Sequence, residues 1–346
     1  MKKKLTYNNS LELKNKTILV TGGTGSFGKA LVNVLLRKYK VKKLIIFSRD
    51  EFKQYEMENE LKNSGFKNYR FFIGDVRDVE RLKLAFKEID IVIHAAALKH
   101  VTSSEYNPFE CVNTNIIGAQ NVITASIYAG VSKVVALSTD KAVNPVNLYG
   151  ASKLASDKIF ISANQLSGKG GCEFSVVRYG NVLGSRGSVV NIFEKLISEQ
   201  SSFLPITDKR MTRFWITLGQ GVDFVLSSLD QMIGGEIFVP KIPSMKITDL
   251  AKTISPKSKL KLIGIRPGEK IHEILITEDD SRNTFYTGDR YIIKPMFIES
   301  EKFVDSFERK NKKIKLKKVA PDFYYSSDIN EEYLDSEELI QLINGQ

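Results

Sequence analysis

The stretch Thr21-Gly22-Gly23-Thr24-Gly25-Ser26-Phe27-Gly28 decides the fold class of this 346-residue chain. It follows the short β-branched run Thr17–Thr21 and leads into residues 27–39, whose apolar positions have a helical period. Glycine permits a tight turn and lets the backbone approach a pyrophosphate, which the free amides of a helix start favour. A glycine pattern alone is weak evidence, and a glycine-rich turn without a ligand is the alternative. A strand before it and a helix after it are the context of a dinucleotide-binding turn.

Outward from this turn, short apolar runs alternate with longer amphipathic stretches through the first half of the chain. The predicted strands are residues 17–21, 43–48, 69–73, 89–95, 133–138 and 174–178, and the predicted helices are residues 27–39, 51–63, 79–86, 108–129 and 149–164. This alternation predicts an α/β fold, a doubly wound parallel sheet with helices on both faces.

The alternation loosens after about Gly180, where prolines become frequent. We therefore expect a dinucleotide-binding domain over residues 1–180, to which some later segments return. Residues 181–346 are expected to form mainly a smaller C-terminal substrate-binding lobe and a tail. Ligands of open α/β sheets bind outside the carboxyl ends of the strands, so the cleft between the two parts is the expected site.

Composition limits the class of protein. The chain is 42% hydrophobic and 26% charged, which is ordinary for a globular protein, and no apolar run is long enough to span a bilayer. The formal charge of +11 includes seven basic residues in the run from Arg309 to Lys318. The run lacks interleaved aromatics, so a solvated face is favoured over a nucleic-acid or membrane-surface patch. The N-terminus lacks a signal-peptide core and the histidines lack metal-ligand spacing, so we expect a cytoplasmic protein without a metal.

The end of the second predicted strand bears on the type of dinucleotide. An acidic residue there would bond a free ribose, whereas a cation suits a 2′-phosphate. Ser48 and Arg49 come first, which favours NADP over NAD, but Asp50 keeps that choice open, and a surface ion pair of Arg49 is the alternative. Asp75, after the third strand, is placed to accept from an adenine amino group. Alternatively, Asp75 or Asp78 caps the next helix.

Tyr149 and Lys153 are four residues apart at a predicted helix start, so both side chains lie on one face. A tyrosine is a poor base at neutral pH, but a nearby ammonium group and a nicotinamide cation favour the phenolate and lower its pKa. Such a tyrosine can take a proton from a hydroxyl while hydride leaves the same carbon. The pair follows the fifth strand, shortly after the hydroxyl of Thr139, which favours this interpretation over a chance spacing.

The glycine turn, the Tyr-x-x-x-Lys pair and the two-part layout resemble the extended short-chain dehydrogenase/reductase family. Within it, the chain is similar to the inverting UDP-N-acetylglucosamine 4,6-dehydratases of the pseudaminic-acid pathway. The resemblance runs from about Lys16 to Ile340. It is carried by residues 95–101, 138–153, 179–182, 210–215 and 264–270.

This resemblance implies a dehydration across C5–C6 of a UDP-sugar, with internal return of hydride through the cofactor. Lys141 would act as the base for the C5 proton if its pKa is lowered by burial or by a neighbouring cation such as Lys153. Asp140 would protonate the leaving 6-hydroxyl, and a surface Asp-Lys pair is the alternative. Plain 4-epimerases have no such acid/base pair. A UDP-sugar 4- or 5-epimerase and a non-catalytic dinucleotide sensor remain the competing functions.

The resemblance also implies the remaining contacts. Besides Tyr149 and Lys153, the expected cofactor contacts are Gly22, Thr24, Gly25, Ser26, Phe27, Gly28, Ser48, Arg49, Asp75, Val76, Ala95, Ala96, Ala97 and Lys99. The expected substrate contacts are Lys99, Lys141, Tyr149, Asn181, Arg186, Arg213, Arg266 and Glu269. Arginine offers a bidentate fork to phosphate, so Arg178 is a further diphosphate candidate. The expected partners are UDP-N-acetylglucosamine and further copies of the chain, as a dimer or hexamer paired through helix 108–129.

Overall fold

The computed structural model describes residues 6–168, 170–185 and 187–344. The strands are β1 (Thr17–Thr21), β2 (Lys43–Ser48), β3 (Tyr69–Ile73), β4 (Ile91–His94), β5 (Lys133–Thr139), β6 (Glu173–Tyr179), β7 (Asn181–Val182), β8 (Phe203–Ile206), β9 (Thr212–Ile216), β10 (Ile237–Pro240), β11 (Ser244–Lys246), β12 (Lys259–Leu262), β13 (Ile274–Ile276), β14 (Thr284–Tyr286), β15 (Arg290–Ile293), β16 (Lys317–Lys318) and β17 (Tyr325–Ser326).

The helices include two π-helical turns and one 3₁₀ turn. The α-helices are α1 (Ser26–Val34), α2 (Glu51–Asn63), α3 (Val79–Ala85), α4 (Val101–Tyr106), α5 (Pro108–Val112), α6 (Gly118–Ala129), α7 (Leu148–Ser167), α8 (Val189–Ser198), α9 (Leu218–Gln231), α10 (Ile247–Ile254), α11 (Glu278–Ser281), α12 (Ser300–Lys310) and α13 (Ser336–Asn344). The π-turns are Leu35–Tyr39 and Asn113–Ile117, and the 3₁₀ turn is Asp140–Ala142.

A ten-stranded sheet forms the centre of the molecule, in the order β16-β14-β15-β10-β6-β5-β4-β1-β2-β3. Within this order the neighbouring strands β10, β6, β5, β4, β1, β2 and β3 pair in parallel. The strands β15, β14 and β16 add an antiparallel edge. The strand order reverses at β1, which pairs with β2 on one side and β4 on the other. Such a reversal opens a crevice at the carboxyl ends of the strands. The mostly parallel sheet confirms the predicted α/β fold class.

The core is divided into two hydrophobic clusters. The larger one surrounds the main sheet, where all five residues of β1 are buried because helices cover both faces. The smaller one packs Phe193, Trp215 and Leu250 together with α8 and α10. Burial of each such large side chain stabilises the fold by about 1.5–3 kcal/mol. The second cluster therefore packs one side of the smaller sheets β11-β9-β7 and β12-β8, while Phe214 and Ile216 of β9 belong to the larger cluster.

The chain after residue 180 contributes to both parts. The strands β10, β14, β15 and β16 belong to the main sheet, whereas β7, β8, β9, β11 and β12 form smaller sheets. The predicted domain boundary at residue 180 stays a prediction. Over the described residues, no helix has the length and apolarity needed to cross a membrane.

The predicted helix 108–129 differs from the structure in one feature. The helical stretch is interrupted by the π-turn Asn113–Ile117 between α5 and α6. Asn115 in this turn accepts from the backbone amide of Leu98 at 2.8 Å and donates to its carbonyl at 2.9 Å. π-turns inside helices are frequent at functional sites, and here the turn directs an amide towards the loop after β4. Apolar periodicity does not reveal one extra residue in a turn, so the sequence predicted a regular helix.

Candidate active site

The glycine turn between β1 and α1 is shaped to receive a pyrophosphate. Gly22 has a φ of +66°, and a Cβ there would lie 2.8 Å from the backbone nitrogen of Ala96, so only glycine fits. Its amide donates to the carbonyl of Phe47 at 2.8 Å, and the amide of Gly25 donates to the carbonyl of Gly22 at 2.9 Å. The residue that precedes α1 is Gly25, which has no side chain to cap the helix. The helix start is therefore open to an anion, and the turn fits the diphosphate of a dinucleotide.

A cleft of about 820 Å³ runs from this turn along the carboxyl ends of the parallel strands. It brings together most of the residues that the sequence predicted as cofactor contacts. Those that line it are Gly22, Thr24, Gly25, Ser26, Phe27, Gly28, Ser48, Arg49, Val76, Ala95, Ala96, Ala97, Lys99, Tyr149 and Lys153. A cleft of this size and length can hold a dinucleotide beside a second ligand.

The residues after β2 form the end of the cleft expected to hold the adenosine ribose. Asp50 caps α2 by accepting from the amide of Lys53 at 3.0 Å, and its other oxygen contacts the Lys53 ammonium. Gln54 donates to the hydroxyl oxygen of Ser48 at 2.9 Å. Arg49 lies 3.4 Å from Asp75 and its side chain is half exposed. The carboxylate of Asp50 thus caps the helix, and Arg49, Asp50 and Lys53 all line the cleft.

Asp75 is held by arginines rather than turned into the cleft, which it does not line. Its carboxylate accepts from Arg77 Nε at 2.9 Å and from the Arg77 amide at 3.0 Å. Burial raises the pKa of Asp75, but the hydrogen bonds from Arg77 outweigh it and the pKa is lowered overall. Asp78 caps α3 by accepting from the amide of Arg81 at 2.9 Å. The adenine contact of Asp75 stays a prediction.

The catalytic candidates meet where β5 ends and α7 begins. Thr139 ends the strand, Asp140 and Lys141 form the 3₁₀ turn that follows, and Tyr149 and Lys153 lie on one face of the first turns of α7. Asn147 caps α7 by accepting from the amide of residue 150 at 2.7 Å. The side chains of Thr139, Lys141, Tyr149 and Lys153 all line the cleft.

Asp140 and Lys141 are in direct contact. The ammonium of Lys141 donates to Asp140 Oδ1 at 3.0 Å, and the hydroxyl of Thr139 donates to the same oxygen at 2.9 Å. Asp140 is fully buried, and its Oδ2 has no hydrogen-bond partner within the described residues. A buried carboxylate oxygen without a partner is costly in a folded protein and is typical of a group kept for chemistry. The pair is therefore not a surface ion pair, which was the alternative interpretation.

The predicted substrate contacts fall into two groups. Lys99, Lys141, Tyr149 and Asn181 line the cleft, whereas Arg213, Arg266 and Glu269 do not. Arg186 lies outside the described residues. These substrate roles stay predictions.

The arginines away from the cleft have other partners. Arg213 donates to the backbone carbonyls of Thr212, Ile271 and Lys270, at 2.7, 3.0 and 3.0 Å. Arg266 lies 3.7 Å from Glu269. Arg178 is buried, donates to the Leu275 carbonyl at 3.1 Å and lies 3.6 Å from Asp157.

The sequence profile of the family described as "Polysaccharide biosynthesis protein" matches residues 18–295. The chain belongs to this family. The UDP-N-acetylglucosamine 4,6-dehydratase (inverting) of Campylobacter jejuni subsp. jejuni serotype O:23/36 (strain 81-176) is 56% identical over 333 residues, which cover 95% of this chain and 97% of that protein. A UDP-glucose 4-epimerase of Rickettsia akari (strain Hartford) is 42% identical over 311 residues, which cover 85% of this chain and 90% of the epimerase.

Solved structures support the same family. The X-ray structure of Pen from Bacillus thuringiensis has a TM-score of 0.85 and 37% identity, covering 97% of this chain and 100% of that one. DesIV, a dTDP-glucose 4,6-dehydratase from Streptomyces venezuelae with NAD and TYD bound, has a TM-score of 0.66 and 21% identity over 86% of this chain and 97% of its own. At that identity the likeness shows the fold alone. The resemblance predicted from the sequence is confirmed.

In this member of the polysaccharide biosynthesis protein family, the pKa of Lys141 is raised, which corrects the expectation that it is lowered. Burial works to lower that pKa, but the carboxylates of Asp140 and Glu273 outweigh burial and the repulsion from Arg213. The nearest charges are therefore anions, and Lys153 does not depress the Lys141 pKa. Lys141 is an ammonium in this state and must lose its proton before it can act as a base.

The pKa of Tyr149 is also raised, to about 12, rather than lowered. Burial is the largest cause, and the positive charge of Lys141 and a hydrogen bond with Thr139 only partly oppose it. Lys153 donates to the carbonyl of Leu137 at 2.7 Å, and burial lowers the pKa of Lys153. The side chains around Tyr149 therefore favour the neutral phenol, and a nicotinamide cation bound beside it would favour the phenolate.

Sequence analysis missed Glu273, which lies just before β13. Its side chain is buried, and its Oε1 lies 3.4 Å from the ammonium of Lys141. The local sequence places this glutamate in a segment far along the chain from the catalytic turn, and no spacing rule connects the two. Only the tertiary fold brings them together.

Proposed function

We propose that this protein is a UDP-N-acetylglucosamine 4,6-dehydratase (a hydro-lyase) that inverts C5. The product would be UDP-2-acetamido-2,6-dideoxy-β-L-arabino-hexos-4-ulose. The observation that carries the proposal is the contact between Asp140, which is fully buried, and Lys141, which lines the same cleft as Tyr149. The 56% identity to the inverting enzyme of Campylobacter jejuni supports it. This product suits the pseudaminic-acid pathway of the enzymes that the sequence resembles.

Oxidation at C4 depends on Tyr149 and its neighbours. When bound, a nicotinamide cofactor supplies a reversible hydride acceptor for the sugar. Tyr149 takes the proton of the 4-hydroxyl, and the hydrogen bond with Thr139 stabilises the phenolate that does so. Lys153, fixed on the Leu137 carbonyl, adds a positive charge on the same helix face. The resulting 4-ketone acidifies the hydrogen on C5.

Elimination of water then needs one base and one acid. Transfer of a proton from Lys141 to Asp140 across their 3.0 Å hydrogen bond turns the ion pair into a neutral amine and a neutral carboxylic acid. The amine removes the C5 proton while the acid protonates the 6-hydroxyl, which leaves as water. Both groups then return to the ammonium and carboxylate forms. The hydride taken from C4 would return to C6, which restores the oxidised cofactor, and C5 takes up a proton on the opposite face, which inverts it.

For the cofactor we propose NADP rather than NAD. Arg49 and Lys53 place two cations at the ribose end of the cleft, and Asp50 is occupied as the cap of α2. A 2′-phosphate would meet these cations and the Ser48 hydroxyl, whereas a free ribose would have to share the Asp50 carboxylate with the amide and ammonium of Lys53. NAD is the alternative.

We further propose that the protein works in the cytoplasm as a homo-oligomer, a dimer or a hexamer. The helical stretch from α4 to α6 exposes Tyr106, Phe109 and Tyr128, of which 86%, 79% and 74% of the surface is open to solvent. An apolar surface of this kind is typical of an interface between subunits. Light scattering of the purified protein measures the assembly directly, and a monomer at all concentrations would contradict this proposal.

The decisive experiment incubates the purified protein with UDP-N-acetylglucosamine and follows the product by proton NMR. A methyl doublet is expected, because C6 of the product carries no hydroxyl. With deuterium on C4 of the substrate, the label is expected at C6. Loss of the label to solvent would contradict internal hydride return.

A 4-epimerase is the second candidate, since family relatives from Rickettsia described as UDP-glucose 4-epimerases are 42% identical. The same NMR experiment separates the two activities. An epimerised hydroxymethyl sugar means a 4-epimerase, a methyl sugar means a dehydratase, and unchanged substrate favours a non-catalytic dinucleotide sensor.

A further inference from the structure

Glu273 is a buried carboxylate held in one position by its backbone. Its amide donates to the hydroxyl of Ser327 at 2.9 Å, and its carbonyl accepts from the amide of Ser327 at 2.8 Å. Only 2% of its surface is exposed. The side chain extends from the start of β13 to the catalytic turn, where Oε1 lies 3.4 Å from Lys141 Nζ. The Lys141 ammonium therefore lies between Asp140 and Glu273.

Two further cations surround Glu273. Arg213 Nε lies 3.7 Å from Oε1, and Lys270 Nζ lies 3.7 Å from Oε2. Arg213 is fixed by three backbone carbonyls, and Lys270 donates to the carbonyl of Val143, so both are anchored independently of Lys141. Glu273 is therefore a carboxylate fixed beside a lysine that must change its protonation state.

The titratable groups that face the Lys141 amine come from four parts of the fold. Asp140 comes from the catalytic turn, Arg213 from β9, and Glu273 and Lys270 from the segment before β13, while Tyr149 of α7 adds a phenol. The two carboxylates favour the ammonium, and the cations favour the neutral amine. The distances place Glu273 second only to Asp140 as a contact of the amine.

We propose that Glu273 is the positioning residue for Lys141. Its carboxylate holds the amine against Asp140 and sets the pH at which the Asp140–Lys141 pair reaches the singly protonated form that the elimination uses. This inference rests on the proposed dehydratase function and adds a residue to it. Glu273 contacts the Lys141 amine from the side of β13, so it acts through Lys141.

The test is the pH dependence of turnover for Glu273→Gln, which removes the charge and keeps the shape. The working form of the Asp140–Lys141 pair carries one proton. Removing the Glu273 anion makes the pair give up its second proton at a lower pH, so the ascending limb of the rate against pH is expected to move down by about 1–3 units. The rate at the plateau falls because the amine loses one anchor. Glu273→Asp keeps the charge, so its limb should stay near that of the unaltered chain, with a reduced rate.

Glu236→Gln is the matched control, because Glu236 is a fully buried carboxylate away from the cleft, bonded to Ser175 at 2.5 Å. Its thermal midpoint should fall, and its pH limb should not move. If the limb of Glu273→Gln coincides with that of the unaltered chain, Glu273 is only structural and the inference is overturned. Absence of a methyl product from the unaltered chain would overturn the proposed function as well, so the two failures are distinguishable.

Discussion

At the scale of single residues, the proposed chemistry depends most directly on Lys141. Replacing it with alanine removes the base for C5, so dehydration is expected to fall by about 10²–10⁴-fold. The oxidation at C4, which depends on Tyr149, does not use Lys141 as a base. Reduced nicotinamide should therefore still appear on mixing with substrate. Proton NMR of the product and absorbance of the reduced cofactor measure the two steps separately.

The control for this prediction is Lys158→Ala, because Lys158 is an exposed lysine on α7. Its turnover should equal that of the unaltered chain. Full dehydratase turnover by the Lys141→Ala variant would contradict the assignment of the base.

Arg49 carries the second prediction at this scale. A charge-assisted hydrogen bond to a phosphate contributes about 1.5–3 kcal/mol, so Arg49→Ala should raise the KM for NADP roughly ten- to a hundredfold and leave the KM for NAD nearly unchanged. Steady-state kinetics with each cofactor, added to the cofactor-free protein, measures the ratio. Arg282→Ala is the control, since Arg282 lies on an exposed surface with Asp279. An equal effect on both cofactors would argue against a 2′-phosphate contact.

The sequence predicted the placement of candidate residues where neighbours along the chain decide it. Tyr149 and Lys153 share a helix face through their spacing, and Asp140 and Lys141 are adjacent, while the catalytic roles of all four stay predictions. The structure raises the pKa of Lys141 through Asp140 and Glu273, and that of Tyr149 through burial, and neither surrounding was predicted. Those surroundings are assembled from distant parts of the chain and have no local pattern.

At the scale of elements, the joint between the catalytic turn and α7 is unusually tight. A Cβ added to Gly150 would lie 2.2 Å from the carbonyl oxygen of Lys141. Gly150→Ala should therefore push the helix away from the turn, cost about 1–3 kcal/mol and reduce turnover, although alanine is the better helix former. Thermal unfolding and steady-state kinetics measure the two effects.

The exposed neighbour Ala151 provides the opposite substitution on the same helix turn. Ala151→Gly should cost about 1 kcal/mol through helix propensity and leave turnover unchanged. A Gly150→Ala variant that is more stable than the unaltered chain would mean that the joint can relax.

Elements with strong periodicity were predicted well. The strands β1, β2 and β3 and the helix α2 have the predicted bounds, and β4, β5, β6 and α3 differ by only one or two residues. The two π-turns and the short helix α4 were missed. Tertiary contacts, such as the bonds from Asn115 to Leu98 in the second π-turn, have no local pattern in the sequence. The smaller sheets after residue 180 are made of strands of two to five residues, too short for a period to be read.

At the scale of the whole molecule, the smaller apolar cluster and its loops support the catalytic turn from outside the main sheet. Asn147 donates to the carbonyl of Gly268 at 2.7 Å, and Lys270 donates to that of Val143. Residues 264–270, which the sequence suggested as ligand contacts, thus also brace the turn that carries Asp140 and Lys141. The fold therefore couples the arrangement of this segment to the geometry of the acid/base pair.

Stability of the whole molecule should also depend on pH through His94, which lies at the end of β4 in the centre of the sheet. Burial, followed by the charge of Lys153, lowers the pKa of His94 to about 3, and its Nδ1 lies 2.8 Å from the Thr21 hydroxyl. The unfolded chain has a His pKa of about 6.5 and binds more protons between these two values. Stability is therefore present above about pH 6.5 and is lost as the pH falls towards 3, by up to about 1.4 kcal/mol per pH unit.

Denaturant unfolding at a series of pH values between 4 and 8 tests this linkage when the chain is compared with His94→Gln, whose amide can still bond Thr21. The variant should lose part of the pH slope below about pH 6.5, because its side chain cannot take up a proton. His100→Gln replaces an exposed histidine and should keep the full slope. Equal slopes for the His94 variant and the unaltered chain would mean that His94 is not the group whose protonation destabilises the sheet. Carboxylates whose pKa is lowered in the folded chain, such as Asp75 and Asp208, would then dominate the acid unfolding instead.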